Sequence, residues 1–257
     1  MDYQLHHRIL VWMEQAAKTL RQSLNRDIEV EEKQNAKDLV TEMDKATEKF
    51  FIDKINQYYP EHRVIGEEGF GDKPSDTKGI IWVIDPIDGT LNFVKSKNHF
   101  GIMLGIFLDG EPLAGYIYDV MNCDLYYGIV GEGAYLNNLP LKSIEISHLN
   151  QSLVLGNVES FSNNVYNMKA LLNASLGARS YGSAAMEIIG VIRGEASLYF
   201  SAGLRPWDFA AGYAICLSMG YYVSKIDGSR PNILERSPIL FAHPNVYAEA
   251  LELLSHK

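Results

Sequence analysis

The segment WVIDPIDGTLNF, residues 82–93, constrains this chain more than any other stretch. It closes a continuous apolar run, residues 80–84, that breaks off at Asp85-Pro86. An unbroken run of this length suits a strand covered on both faces, where no solvent side exists to impose alternation. The C-terminal end of such a strand delivers a carboxylate to a cleft. Pro86 cannot donate to a ladder, so the spacing predicts that the strand stops there. Asp88-Gly89-Thr90 reads as a turn able to open a short helix. Two carboxylates three residues apart across that turn can converge on one point, and the Ile87 carbonyl can join them, giving a hard cation the oxygen ligands it prefers. The N–H groups of Gly89 and Thr90 would then face a phosphate oxygen, as helix N-termini do.

Two further acids come from elsewhere. Glu67, in Gly66-Glu67-Glu68-Gly69, follows the apolar pair Val64-Ile65, and Asp208 follows Trp207 at the predicted start of a helix. Any one of these acids alone reads as a cap or turn residue. Their joint occurrence points instead to a shared oxygen cage. The string DPIDGT also invites comparison with haloacid-dehalogenase phosphatases, whose nucleophilic aspartate sits in D-x-D-G-T after a strand. The spacing here is D-x-x-D, which moves the second carboxylate off its acid-base position, and residue 85 is far from a first strand. That reading is rejected.

Composition narrows the partners. A formal charge of -9 argues against a nucleic-acid surface, since phosphate backbones are held chiefly by clustered Lys and Arg. An anionic substrate would need a local cation, such as a metal. With 257 residues, 47% of them hydrophobic, the chain can bury a large core without staples. Cys123 and Cys216 show no CxxC spacing and read as reduced core residues of a cytoplasmic protein. No signal peptide is evident, and no apolar stretch approaches the ~20 residues that span a bilayer. The seven histidines are scattered without ligand spacing and read as polar surface.

Along the chain, Leu5, Ile9, Trp12, Ala16, Leu20 and Leu24 recur at helical spacing, predicting a helix that ends near Asn25. A second helix is predicted over 42–58, with Thr41 as N-cap and Asp44 in its first turn. Residues 100–140 carry turn signals between apolar runs and read as an antiparallel meander. Tyr116, Tyr118, Tyr126 and Tyr127 are assigned to its packing. Beyond 150, strands near 152–157, 195–200 and 220–226 alternate with helices near 164–175, 182–193 and 206–219, and a last helix starts near Asn245. The expectation is one domain over 1–257, with an N-terminal α+β half (1–141) and a C-terminal α/β half (142–257) sharing a core.

The motifs GEEG, WVIDPIDGTLNF, GSAAMEIIGVIRGEASLYF and RPWDFAAG, in this order over nearly the whole chain, resemble the inositol monophosphatase family within the fructose-1,6-bisphosphatase-like superfamily. The resemblance implies a layered αβαβα sandwich, Mg2+-dependent hydrolysis of phosphate monoesters, lithium sensitivity and a homodimer. It implies that Glu67, Asp85 and the Ile87 carbonyl hold a first Mg2+, that Asp85, Asp88 and Asp208 hold a second, and that Glu67 helps a third. In KQNAKDLVTEMD, similar to the family's mobile loop, Asp44 would pair with Thr90 to activate the attacking water, while the role of Lys33 stays open. Asp88, Gly89, Thr90, Ser183, Ala184 and Ser201 are implied substrate contacts.

Physical chemistry makes sense of that inventory. Monoester hydrolysis is so slow that enzymes supply up to ~10²¹-fold. General-base help contributes only ~10²- to 10⁴-fold. Most of the acceleration must therefore come from charge neutralisation by ions.

The chain departs from the family pattern at Ser201. Seven residues before the last metal-binding aspartate, relatives selective for inositol phosphates have a glutamate that contacts ring hydroxyls. A serine leaves more room and less negative potential, which predicts a relaxed pocket. Inositol monophosphate, the 2′-phosphate of NADP and fructose 1,6-bisphosphate are the candidate substrates. Arg205 and Arg179 are either contacts to a second phosphate or surface ion pairs. An inactive metal-binding regulatory module is the non-enzyme alternative.

Overall fold

A computed structural model describes residues 2–33, 39–146 and 148–255. Residues 34–38, part of the loop that the sequence places before the second helix, lie outside the described residues. Helix α1 (Tyr3–Ser23) starts on the Asp2 carboxylate, which accepts from Gln4 N, and buries Leu5, Ile9, Trp12, Ala16 and Leu20 along one stripe. Strands β1 (Val30–Glu32) and β2 (Leu39–Thr41) form a small antiparallel pair. Helix α2 (Glu42–Tyr58) opens with a capping box. The Thr41 hydroxyl accepts from Met43 N and Asp44 N, and the Asp44 carboxylate accepts from Thr41 N.

A seven-stranded sheet follows, with its strands in sequence order: β3 (Arg63–Gly66), β4 (Ile80–Asp88), β5 (Gly101–Leu108), β6 (Glu111–Asp119), β7 (Asp124–Ile129), β8 (Gly133–Leu136) and β9 (Leu139–Pro140). β3 runs parallel to β4, and every later pair is antiparallel. The short helix α3 (Thr90–Lys95) sits between β4 and β5. The second sheet, β10 (Leu153–Gly156), β11 (Gly177–Arg179), β12 (Leu198–Leu204), β13 (Tyr222–Ser224) and β14 (Ser237–Ala242), has the order β11-β10-β12-β14-β13. Its companions are α4 (Val158–Ser162), α5 (Met168–Ala174), α6 (Ala184–Ile192), α7 (Pro206–Ser218) and α8 (Pro244–Ser255).

Burial sorts these elements into five layers. α1 and α2 cover one face of the large sheet through Trp12, Phe51, Trp82 and Leu104. Its other face, including Val83, Met103 and Ile117, packs on α6 and α7, which also take up Leu155, Tyr199 and Phe241 from the small sheet. α5 and α8 close the far side over Val154, Phe200 and Leu240. The result is the expected αβαβα sandwich. Close packing of α7 depends on glycine: a Cβ on Gly105 would lie 2.9 Å from the backbone carbon of Ala210, and one on Gly115 would strike Ala211. Without side chains there, α7 settles onto the sheet and brings its first turn to the C-terminal end of β4.

Several expectations need correction. β4 does not stop at Pro86: pairing with β5 shifts register between Asp85 and Asp88 and resumes at Asp88↔Gly101, so the proline occupies an irregularity within the strand, where its missing N–H is tolerated. Cys123 is exposed with φ +57, in the turn between β6 and β7, whereas Cys216 is buried as expected. The histidines are not all surface. His243 is buried, His62 Nδ1 accepts from the Trp82 indole, and His6 Nδ1 is bonded to the Tyr116 hydroxyl. The single helix predicted over 164–175 is a turn of 3-10 helix and then α5, with Asn164, Tyr166 and Asn167 at positive φ. The interior strand β14 had no counterpart in the sequence reading. The meander and the packing of its four tyrosines, by contrast, are present, with Tyr116 and Tyr127 stacked.

Candidate active site

Three elements meet at one basin. The irregular end of β4 contributes Asp85, Ile87 and Asp88; the loop after β3 contributes Glu67; the first turn of α7 contributes Asp208. All five line a cavity of about 360 Å³ together with Gly89 and Thr90. Asp85, Asp88 and Asp208 each place one carboxylate oxygen within 4.8 Å of the others. A larger cleft of about 670 Å³ lies across the outer helices near Tyr166 and Leu254. Asp227 is the only carboxylate among the described residues of its lining, whereas the smaller basin gathers four.

Each acid is held by local structure. Asp85 Oδ1 accepts from Ile87 N at 3.1 Å, which ties the strand irregularity to the carboxylate it delivers. Asp88 Oδ2 accepts from Ser183 Oγ and from Ala185 N, the latter at 2.8 Å. Asp208 is the third residue of α7, and its Oδ2 accepts from Arg205 N at 2.7 Å. Gly89 links Asp88 to α3 at φ +87, a conformation that side chains disfavour, and a Cβ there would lie 3.0 Å from the Ser183 Cβ.

Asp44 lies behind the basin, fully buried. Its Oδ2 accepts from Thr41 N at 2.7 Å and Thr41 Oγ1 at 2.5 Å, which leaves Oδ1 to accept from Thr90 Oγ1 at 3.0 Å. The Thr90 hydroxyl is also 3.1 Å from the Ile87 carbonyl. Lys33, whose role the sequence left open, bridges Glu67 at 2.9 Å and Glu68 at 2.6 Å.

The electrostatics are those of crowded, dry carboxylates. Burial raises the pKa of Asp85 well above its ordinary value, and the charges of Glu67, Asp88, Asp208 and Asp44 add to the shift. Burial, followed by Asp88, pushes Asp208 up to about 8. Asp88 is raised by burial although Ser183 and backbone N–H groups oppose the shift. Glu67 is raised by burial against the pull of Lys33. Asp44 rises to about 6, again chiefly by burial. Among the described residues, no cationic side chain pairs with Asp85, Asp88 or Asp208. Converging oxygen donors without a protein counter-charge suit a hard divalent cation, and these residues therefore fit Mg2+.

A second cavity of about 250 Å³ opens from Asp88 and Asp208, lined by Ser183, Ala184, Glu187, Tyr199 and Ser201 among others. The three expected substrate residues of the second half, Ser183, Ala184 and Ser201, therefore share one wall. Arg205 and Arg179 do not reach it. The Arg205 guanidinium lies 5.6 Å over the Trp207 ring and lines, with Lys73 and Arg236, a groove that shares Glu67 with the basin, and Arg179 is bonded to the neighbouring Ala178 carbonyl.

Two positioning acids escaped the sequence reading. Glu48, fully buried on α2, accepts from Glu68 N at 2.7 Å and Phe70 N at 2.9 Å, and so shapes the loop that carries Glu67. Gly66 makes room for it: a Cβ there would lie 2.5 Å from Glu48 Oε1. Glu187 on α6 accepts from Tyr181 N at 2.6 Å, and burial pushes its pKa up to about 7. A buried acid on an otherwise apolar helical stretch was the available clue to Glu187. Glu48, set among Lys45, Lys49 and Lys54, offered none.

Comparisons with known proteins agree with this geometry. The family model described as "Inositol monophosphatase family" matches residues 8–256. The inositol-1-monophosphatase of Bacillus subtilis is 38% identical over 249 residues, covering 95% of this chain and 94% of that protein. Nus factor SuhB of Escherichia coli is 33% identical over 214 residues, 81% of this chain and 79% of that protein. Among solved structures, an IMPase/NADP phosphatase complexed with Mg2+ and phosphate superposes with a TM-score of 0.91 at 26% identity, covering 99% of this chain and 96% of that one. A 2′AMP-bound SaIMPase-II superposes with a TM-score of 0.88 at 38% identity, covering 97% and 93%. By sequence, fold and the motifs that build its acidic basin, this chain belongs to the inositol monophosphatase family and is a phosphoric monoester hydrolase.

Proposed function

We propose that the chain hydrolyses small phosphate monoesters with the help of Mg2+, that inositol monophosphate is among its substrates, and that its specificity is relaxed. The observation that carries this reading is the convergence of Asp85, Asp88 and Asp208, one oxygen each within 4.8 Å, beside the hydrogen-bonded pair Asp44 and Thr90. Glu67, Asp85 and the Ile87 carbonyl would hold one ion and Asp85, Asp88 and Asp208 another, with Glu67 contributing to a third. Bound ions would supply Lewis-acid neutralisation of the phosphoryl charge and of the leaving alkoxide.

The chain's own residues do the rest. Thr90 Oγ1 accepts a proton from the attacking water while passing its own to Asp44 Oδ1. A base whose pKa is raised to about 6 is well placed for that transfer near neutral pH. The two Thr41 bonds to Oδ2 fix the carboxylate so that Oδ1 stays aimed at Thr90. Gly89 and Thr90 N–H groups would receive a phosphoryl oxygen, and Ser183, Ala184 and Ser201 would contact the alcohol half. The two halves would fold as one unit about α6 and α7, and the working form would be a lithium-sensitive homodimer in the cytoplasm.

A second substrate reading is a 2′-phosphorylated nucleotide such as NADP. Ser201 on the wall of the second cavity favours it, as do relatives described as an NADP phosphatase and as bound to 2′AMP. A phosphate-release panel with inositol 1-phosphate, NADP and fructose 1,6-bisphosphate, with and without Mg2+, tests both readings. Hydrolysis of inositol 1-phosphate within tenfold of the best substrate, dependent on Mg2+, is expected. No turnover of any ester would overturn the proposal.

A further inference from the structure

Glu187 is a buried acid beside the phosphoryl site with no part in the hydrolytic chemistry. It is 3% exposed and forms part of the wall of the 250 Å³ cavity that opens from Asp88 and Asp208. Oε1 accepts from Tyr181 N at 2.6 Å. Oε2 is buried and has no hydrogen-bond partner among the described residues. Buried polar atoms are nearly always paired, so an orphan acceptor at a cavity wall calls for a missing donor.

The rest of the wall indicates what kind of donor. Tyr199 and Ser201, bonded to each other, and Ser180 present hydroxyls, and Asn157 an amide. Among the described residues, neither Lys nor Arg lines this cavity. A second phosphate or a carboxylate placed here would meet the buried carboxylate of Glu187, which is unfavourable without a cationic side chain beside it. A neutral alcohol carrying several hydroxyls meets none of that cost. Its hydroxyls can both donate to a carboxyl oxygen and accept from Tyr199 or Ser201.

We propose that Glu187 is the specificity-determining residue for the alcohol half of the substrate: Oε2 takes a hydrogen bond from a hydroxyl near the ester carbon, which favours monophosphates of neutral polyols. The proposal rests on the phosphomonoesterase reading of the basin. It gives Glu187 two tasks: Oε1 fixes the turn at Tyr181, and Oε2 reads the substrate. A purely structural Glu187 would perform only the first.

Glu187→Gln separates the two. The amide oxygen can still accept from Tyr181 N, while an NH2 group takes the place of Oε2, so an acceptor becomes a donor and the charge is lost. The test compares kcat/KM for glycerol 2-phosphate with that for isopropyl phosphate, the same ester without its neighbouring hydroxyls, and uses 4-nitrophenyl phosphate as a common reference. The parent should prefer glycerol 2-phosphate by tenfold or more. In Glu187→Gln that preference should fall by about tenfold or more, the scale of a lost hydrogen bond to a charged group, chiefly through KM. Thermal melts of both proteins verify folding.

A Glu187→Gln protein that loses activity equally on all three esters, or on none, overturns the assignment, as does a parent indifferent to the two hydroxyls. Should Glu187→Gln fail to fold, Glu187→Asp takes its place, with the same fall in polyol preference expected and an unchanged preference overturning the assignment. A parent that hydrolyses none of the three with excess Mg2+ overturns the phosphatase reading itself. A parent active on 4-nitrophenyl phosphate without polyol preference overturns only the role of Glu187.

Discussion

The Thr90 hydroxyl lies 3.0 Å from Asp44 Oδ1 and 3.1 Å from the Ile87 carbonyl, joining the first turn of α2 to the end of β4 across 46 residues of sequence. Its one proton faces two acceptors, and in the proposed relay it passes to Asp44 as a new one arrives. Thr90→Ala removes the relay without touching any carboxylate of the basin. Its kcat should fall about 10²- to 10⁴-fold, the usual weight of general-base help. Calorimetric titration should show Mg2+ affinity within a few-fold of the parent, and Thr90→Ser should recover most of the rate. A variant with weakened Mg2+ binding and near-normal kcat at saturation would remove Thr90 from the relay.

The basin makes its own prediction about pH. Glu67, Asp85, Asp88 and Asp208 all have raised pKa values in the folded chain, Asp208 to about 8, with burial the first cause. The folded state therefore binds more protons than the unfolded chain between the ordinary carboxylate range and about pH 8. Stability from this source is present at low pH and is lost as pH rises through the raised values. A bound cation takes the place of those protons. Saturating Mg2+ should accordingly raise Tm more at pH 8.5 than at pH 6.0, by about 2 °C or more, as followed by thermal melts against chelator controls. Equal shifts, or a larger one at pH 6.0, would contradict this.

Gly66→Ala tests the support of Glu67. The added Cβ would lie 2.5 Å from Glu48 Oε1, whose carboxylate holds Glu68 N and Phe70 N. Something must shift, and the loop carrying Glu67 moves with it. Denaturant melts should show a loss of about 1 to 3 kcal/mol, the range for overpacking, and turnover at fixed Mg2+ should fall by more than stability alone explains. An unchanged melt with full activity would show that Glu48 gives way freely.

Much of the site was legible because its chemistry is local in sequence. The DPIDGT segment carries two carboxylates of the basin, a carbonyl and the turn on one short stretch, and Thr41 reads as an N-cap with Asp44 in the first turn behind it. Glu67 and Asp208 could be named because glycines or a helix start flank them. What could not be read depends on tertiary packing. Pro86 stays in β4 because β5 accommodates an irregularity opposite it. Cys123 is exposed because its turn projects from the sheet, a fact no spacing encodes. β14 begins at Ser237-Pro238 and reads as a short apolar run until β12 and β13 pair on either side of it. The task of Glu48 exists only once the loop after β3 folds back onto α2. Lys33 could be recognised as a loop cation, but its partners Glu67 and Glu68 lie more than thirty residues away.

The central claim is that acids distant in sequence form one cation-binding cage that turns over phosphate esters. Asp208→Asn tests it most directly, because the amide oxygen can still accept from Arg205 N and keep the start of α7 intact, while the charge is gone. Phosphate release from inositol 1-phosphate should fall by at least about 10³-fold, a loss that only a group acting in the transition state produces. The melting temperature without Mg2+ should hold near neutral pH, where the raised pKa leaves Asp208 largely protonated, and rise above about pH 8, where a repelling charge is removed. Activity within a few-fold of the parent at the same Mg2+ concentration would contradict the account.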